Sequence, residues 1–85
     1  MTQKKRILNY INIYGSITPL DAFRDLGITK LATVISLMKR EDGITFYQHY
    51  ESSYNRFGEK VYYMRYWTDE EKYNRDMGEM SLWEV

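Results

Sequence analysis

Three short helices joined by glycine-containing turns are the feature of the sequence that most restricts its fold. Between residues 2 and 14, apolar residues recur at helical spacing, as on the buried face of an amphipathic helix. Gly15 follows where a left-handed cap is expected. Thr18 and Pro19 suit the N-cap and the first position of a second helix, which Gly27 ends. This arrangement predicts a helix-turn-helix.

The third helix is expected to follow Thr29, a possible N-cap, and to bury Leu31, Ile35 and Met38 on one stripe. The polar residues 39–43 end it and form a turn. In a helix-turn-helix this is the element that reads the major groove of DNA.

After residue 43 the composition changes to that of β-strands. Residues 44–54 and 61–67 are rich in β-branched and aromatic side chains, and turn residues fill 55–59 between them. The pattern predicts a β-hairpin. Three helices followed by a two-stranded hairpin wing make an α+β fold, the winged helix-turn-helix. Of the nine Tyr residues, most are expected in core and cross-strand packing rather than stacked on single-stranded bases.

The last eighteen residues differ from the rest. Thr68 and Glu71 match a capping box, which predicts a short helix from Asp69 to about Met77 that Gly78 ends. Disordered tails are poor in large apolar residues, whereas this one contains several. We therefore divide the chain into a winged helix-turn-helix domain, residues 1–67, and a C-terminal extension, residues 68–85, docked on the domain or on a second subunit.

The formal net charge of zero combines two oppositely charged segments. Residues 1–67 contain ten Lys and Arg against six Asp and Glu, a net charge of +4, whereas residues 68–85 carry −4. Such an asymmetry suggests a nucleic-acid-binding body with an acidic appendage.

Several classes of protein are not favoured by the sequence. The chain has no Cys and a single His, His49, so it offers no disulfide, no thiolate zinc site and no cysteine nucleophile. It also lacks a nucleophile–base pair and a Gly-rich phosphate loop. We expect no enzyme, no cofactor and no metal. No apolar run approaches the roughly 18 residues of a membrane span, so we expect a cytoplasmic protein without a membrane partner.

Three stretches of the sequence resemble a known family. Residues 15–22 (GSITPLDA), 25–32 (DLGITKLA) and 55–61 (NRFGEKV) resemble the short winged helix-turn-helix domains that are common in bacteriophages and prophages. The resemblance covers roughly residues 4–66. It implies a winged-helix fold, a nucleic-acid-binding ancestry and a bacterial host cell.

Two elements supply the candidate DNA contacts. On the third helix, hydroxyl groups can contact base edges and basic side chains can contact phosphates or guanine. Wing tips commonly contact phosphates or the minor groove. The alternative is that these residues are ordinary solvated side chains. The candidates are Thr29, Lys30, Thr33, Ser36, Lys39, Arg40, Arg56 and Lys60.

The sequence departs from the family where the resemblance implies charge. Similar members have an arginine at the position of Val34, a polar residue at that of Leu37, and bases where Tyr62 and Trp67 stand. Val34 and Leu37 either widen the buried stripe of the third helix or form an apolar patch for a protein partner. The candidate protein-interface residues are Val34, Leu37, Trp67, Met80, Leu82 and Trp83.

Two functions remain open at this point. The first is a small phage-type DNA-binding protein, a transcriptional regulator or a recombination accessory factor, which binds double-stranded DNA as a homodimer. The second is a protein-interaction module on the same scaffold, such as a phage inhibitor of a host machine or defence system. A fold alone does not decide between them.

Overall fold

The computed structural model describes the backbone of residues 2–83 and the side chains of residues 2–78. Three helices come first, then two strands, then a fourth helix. Their bounds are α1 Gln3–Tyr14, α2 Pro19–Leu26, α3 Leu31–Glu41, β1 Tyr47–Tyr54, β2 Lys60–Trp67 and α4 Glu70–Trp83. This is the α+β arrangement of a winged helix-turn-helix, as the sequence predicts.

The first two helices begin at threonine caps. The Thr2 hydroxyl accepts a hydrogen bond from the Lys5 N–H, and Gly15 ends α1 with φ 93° and ψ −33°. Gly15 is thus at positive φ, although not in the left-handed helical conformation that we expected. At α2, the Thr18 hydroxyl accepts from the Asp21 N–H, and the Thr18 N–H donates to the Asp21 carboxylate. This reciprocal pair satisfies two backbone donors at the start of α2.

The turn between α2 and α3 depends on Gly27, which has the left-handed conformation (φ 69°). The chain then reverses, and the Ile28 N–H donates to the Ala22 carbonyl. The N-cap of α3 is Lys30, without a side-chain cap, so the expectation for Thr29 was wrong by one residue. Ile28, in the turn, and Leu31, the first residue of α3, both lie in the core, where each is 2% exposed.

The hairpin pairs β1 and β2 in an antiparallel register, and a short segment before α2 adds to its edge. Tyr47 lies opposite Trp67, and Tyr54 lies opposite Lys60. Beside β2, Ile17 and Tyr66 exchange both backbone hydrogen bonds. The Arg65 guanidinium also donates to the Ser16 hydroxyl at 2.9 Å. These bonds fix the hairpin to the segment that leads into α2.

The core lies between the three helices and the base of the hairpin. One stripe of each helix supplies it, together with aromatic side chains from the hairpin and the segment before it. Its buried members are Ile7, Ile11, Ile17, Ala22, Ile28, Leu31, Ile35, Met38, Phe46 and Tyr66. This core holds α3 and the hairpin in a fixed relation.

The fourth helix differs from its prediction at both ends. Asp69, not Thr68, caps it, because the Asp69 carboxylate accepts from the N–H groups of Glu71 and Lys72. The helix also continues through Gly78 to Trp83. A glycine inside a helix costs only about 1 kcal/mol relative to alanine, and Gly78 does not have the positive φ of the four capping and turn glycines.

Candidate nucleic-acid interface

The outward side of α3 carries the polar residues predicted to contact DNA. Burial of Leu31, Ile35 and Met38 turns the opposite side of the helix to solvent, since a helix repeats every 3.6 residues. Thr29 lies in the turn before the helix. All six α3 candidates are exposed: Thr29, Lys30, Thr33, Ser36, Lys39 and Arg40.

A hydrogen bond connects α3 to the hairpin. The Lys39 ammonium donates to the Gln48 side-chain oxygen of β1 at 2.9 Å. Because side chains alternate between the two faces of a strand, this bond shows which face of the hairpin is turned towards α3. The bond does not neutralise the positive charge of Lys39, since the Gln48 side chain is uncharged.

The wing tip is held by one asparagine. The Asn55 side-chain oxygen accepts from the N–H groups of Phe57 and Glu59, each at 3.0 Å, and Gly58 adopts φ 78°. The turn leaves the two predicted wing bases exposed on either side: Arg56 lies in the tip, and the Lys60 ammonium lies 5.6 Å from the centre of the Tyr62 ring.

Most acidic residues of the domain form ion pairs with basic residues other than these candidates. Five of the six carboxylates in residues 1–67 form ion pairs of 2.7–3.4 Å with only three bases, Lys4, Arg24 and Arg65. The sixth is Glu59 in the wing tip. Within residues 2–67, the basic residues without an ion pair are Lys5, Arg6, Lys30, Lys39, Arg40, Arg56 and Lys60. The positive charge of the domain therefore remains uncompensated mainly on α3 and the wing.

The two faces of the hairpin have different surroundings. On the face turned away from α3, Trp67 is 1% exposed, and its indole N–H donates to the Asp76 carboxylate at 2.7 Å. The Tyr73 ring lies 5.4 Å from that of Tyr47 and 5.1 Å from that of Trp67. The described part of α4 thus packs on the hairpin of its own chain, on the face opposite Gln48.

The face turned towards α3 carries an exposed group of tyrosines that the sequence analysis missed. Tyr50, Tyr54 and Tyr62 are 66%, 70% and 67% exposed, and the register places all three on the face that includes Gln48 and Tyr66. We call these three residues the wing tyrosines. All nine tyrosines lie among the described side chains, and of these only Tyr66 is buried, at 6% exposure. The signal was present in the sequence, because Tyr50 and Tyr54 are four residues apart on a strand and must share a face.

Of the six candidate protein-interface residues, three have described side chains, and none of these three is exposed. Val34 is half-buried and packs against the core, which agrees with a widened stripe, and Leu37 is also half-buried. Trp67 is buried, and it contacts Asp76 and Tyr73 of its own chain. The side chains of the other three candidates, Met80, Leu82 and Trp83, lie outside the described residues.

A shallow cleft between α1 and α2, of about 380 Å³, contains the most perturbed tyrosine. The Tyr10 hydroxyl donates to the Asp25 carboxylate at 2.7 Å. Desolvation and this hydrogen bond raise the pKa of Tyr10 to about 12. Hydrogen bonds from Arg24 and then Tyr10 lower the pKa of Asp25. These groups fasten α1 to α2 and are distinct from the bases of α3 and the wing.

The fold and this basic surface define a class of protein, the winged helix-turn-helix proteins, whose fold is a DNA-binding one. A family model described as a winged helix-turn-helix domain matches residues 2–66, and the chain belongs to that family. Comparison with curated proteins finds no significant match, and neither does comparison with solved structures. In the part of the chain that the structure describes, no helix is long and apolar enough to cross a membrane.

Proposed function

We propose that the chain is a small DNA-binding protein of phage or prophage origin that regulates transcription or assists recombination. The observation that carries the proposal is the distribution of charge. Five of the six carboxylates of the domain are paired with Lys4, Arg24 and Arg65, whereas the basic residues of α3 and the wing have no carboxylate partner among the described side chains. Lys and Arg side chains that have no carboxylate partner on a helix-turn-helix are the groups that bind DNA phosphates.

The proposed complex places α3 in the major groove. The hydroxyl groups of Thr29, Thr33 and Ser36 contact base edges, and the basic side chains of α3 contact phosphates. The wing reaches the flanking backbone or minor groove through Arg56 and Lys60. The Lys39–Gln48 hydrogen bond keeps α3 and the wing in one relative position, which favours simultaneous contact.

We further propose that two copies bind a two-fold symmetric site, because one copy presents a single α3 and contacts few base pairs. Ile13 and Tyr14, on the wall of the cleft between α1 and α2, are 63% and 69% exposed. They supply an apolar surface for a second subunit. The same surface supports the second candidate function, contact with a host protein. Sedimentation velocity, alone and with DNA, distinguishes a dimer from a monomer that is free to bind another partner.

Salt-dependent binding to random-sequence duplex DNA tests the main proposal. We expect micromolar affinity at low salt, and an affinity that falls linearly on a log–log plot with a slope of about −0.9 for each phosphate contact. Arg40→Ala is expected to weaken binding and to reduce that slope by about 1. Arg75→Ala is the matched control, because it removes the same charge from α4, on the other side of the hairpin. An absence of any binding at low salt refutes the proposal.

A further inference from the structure

We propose that the wing tyrosines form a binding site for unpaired bases of single-stranded DNA. The site extends the proposed function, on which it rests for the position of the DNA, from duplex to an adjoining single-stranded segment. Such a segment occurs at a melted promoter, at a recombination junction or at a duplex end.

The first support is the chemistry of this face of the hairpin. Its residues, in strand order, are Gln48, Tyr50, Ser52 and Tyr54 on β1, and Lys60, Tyr62, Met64 and Tyr66 on β2. The face contains no acidic side chain, since Glu51 lies on the other face, where it pairs with Arg65 at 2.7 Å. Exposed aromatic rings and a lysine on a strand face that itself carries no carboxylate suit the nucleobases and phosphates of a nucleic-acid strand.

The second support is the arrangement of the three rings. Tyr50 and Tyr54 are four residues apart on β1, about 13 Å at the usual strand rise. Tyr62 lies opposite Ser52, midway between them on β2. Each step is therefore about twice the 3.4 Å rise per nucleotide of a stacked strand. Bases that reach successive rings must be unstacked from each other, which a single strand permits and a duplex does not.

The third support is the electrostatic surroundings. The Lys60 ammonium lies over the Tyr62 ring at 5.6 Å from its centre, and Lys39 lies at the α3 end of the same face through its bond to Gln48. A lysine side chain thus lies at each end of the row of tyrosine rings. A nucleic-acid strand along the row places its phosphates near both, whereas an apolar peptide gains nothing from them.

The direct test compares three DNAs by fluorescence anisotropy: a blunt duplex, the same duplex with a short thymine overhang, and the same duplex with an abasic overhang of equal length. The abasic overhang has the phosphates without the bases. We expect the thymine overhang to bind at least about tenfold more tightly than the abasic one, since each stacked base contributes about that factor or more. Equal affinity for the two overhangs overturns the proposal.

Substitutions localise the effect. Tyr50→Leu with Tyr62→Leu is expected to abolish the preference for thymine over abasic overhangs, while Tyr50→Phe with Tyr62→Phe retains it because the rings remain. Phe23→Leu, at an exposed aromatic residue of α2, is the matched control. A preference that survives the double leucine substitution places the base-binding site elsewhere and overturns the assignment.

The outcomes separate this proposal from the duplex-binding function. Binding to the blunt duplex without a thymine preference supports the duplex-binding function and refutes the stacking site. A thymine preference without blunt-duplex binding refutes the duplex function and retains the stacking site. Absence of binding to all three DNAs refutes both.

Discussion

The contact between Trp67 and Asp76 allows a quantitative prediction about how the C-terminal helix is held. The indole is 1% exposed, and its N–H donates to the Asp76 carboxylate at 2.7 Å, the short distance of a charge-assisted hydrogen bond. Asp76→Ala removes the acceptor from a donor that water does not reach. An unsatisfied buried donor costs about 1–3 kcal/mol.

That cost is large for a chain of this size. A domain of this length has an unfolding free energy of roughly 5 kcal/mol, and each kcal/mol lowers the melting temperature of such a domain by about 4–8 °C. We therefore expect Asp76→Ala to lower the melting temperature by roughly 10 °C. Asp76→Asn keeps an oxygen acceptor without the charge and is expected to lose about half as much.

Thermal and urea unfolding followed by circular dichroism measure the effect, with Asn74→Ala, at an exposed position of the same helix, as the control. Asp76→Ala and Asn74→Ala should differ clearly. If both variants unfold at the same temperature, water reaches the indole, and the packing of α4 on the hairpin is not as described.

Three further predictions concern other parts of the molecule. Val34→Arg should lower the unfolding free energy by about 1–3 kcal/mol, because Val34 packs against the core; tighter DNA binding without loss of stability would mean that Val34 faces the DNA instead. The folded protein keeps Tyr10 protonated to about pH 12, whereas its ordinary pKa is 10.0. Stability should therefore fall as the pH rises between these values, and Tyr10→Phe should lose less in urea titrations across that range. Glu70→Gln with Glu71→Gln should change DNA affinity little, because α4 packs on the face away from α3; a clear gain in anisotropy titrations would show that the acidic extension screens the basic surface.

The sequence predicted the helices and the hairpin because their boundaries depend on local chemistry. Thr18 and Asp21 form the capping pair that their spacing allows, and Gly27 takes the left-handed conformation that only glycine adopts readily. The same reasoning failed at Gly78, where a small local penalty does not end the helix. Capping residues and glycines predict a helix boundary least well where packing against the rest of the protein determines how far the helix extends.

The partners of side chains were harder to predict than the elements. Nothing in the sequence pairs Trp67 with Asp76, because that bond depends on how α4 folds back on the hairpin. The positions of Tyr50 and Tyr54 on one face followed from strand alternation, but whether that face was buried depended on which elements cover it. The core covers only the base of the face, at Tyr66 and in part at Met64, so the rings of Tyr50, Tyr54 and Tyr62 remain exposed to solvent.

The net charge of zero is compatible with DNA binding when the positions of the charged side chains in the structure are taken into account. Ion pairs occupy Lys4, Arg24 and Arg65 with five carboxylates, and this paired set has a net negative charge. The remaining bases of the domain therefore carry more positive charge than the +4 of residues 1–67 suggests, and several of them lie on α3 and the wing. The acids of the described part of α4 belong to a helix that packs on the other face of the hairpin. Interactions between exposed charges are screened over about 8–10 Å at physiological salt. The attraction that a DNA phosphate at α3 experiences therefore comes chiefly from the nearby Lys and Arg side chains and depends little on the total charge of the chain.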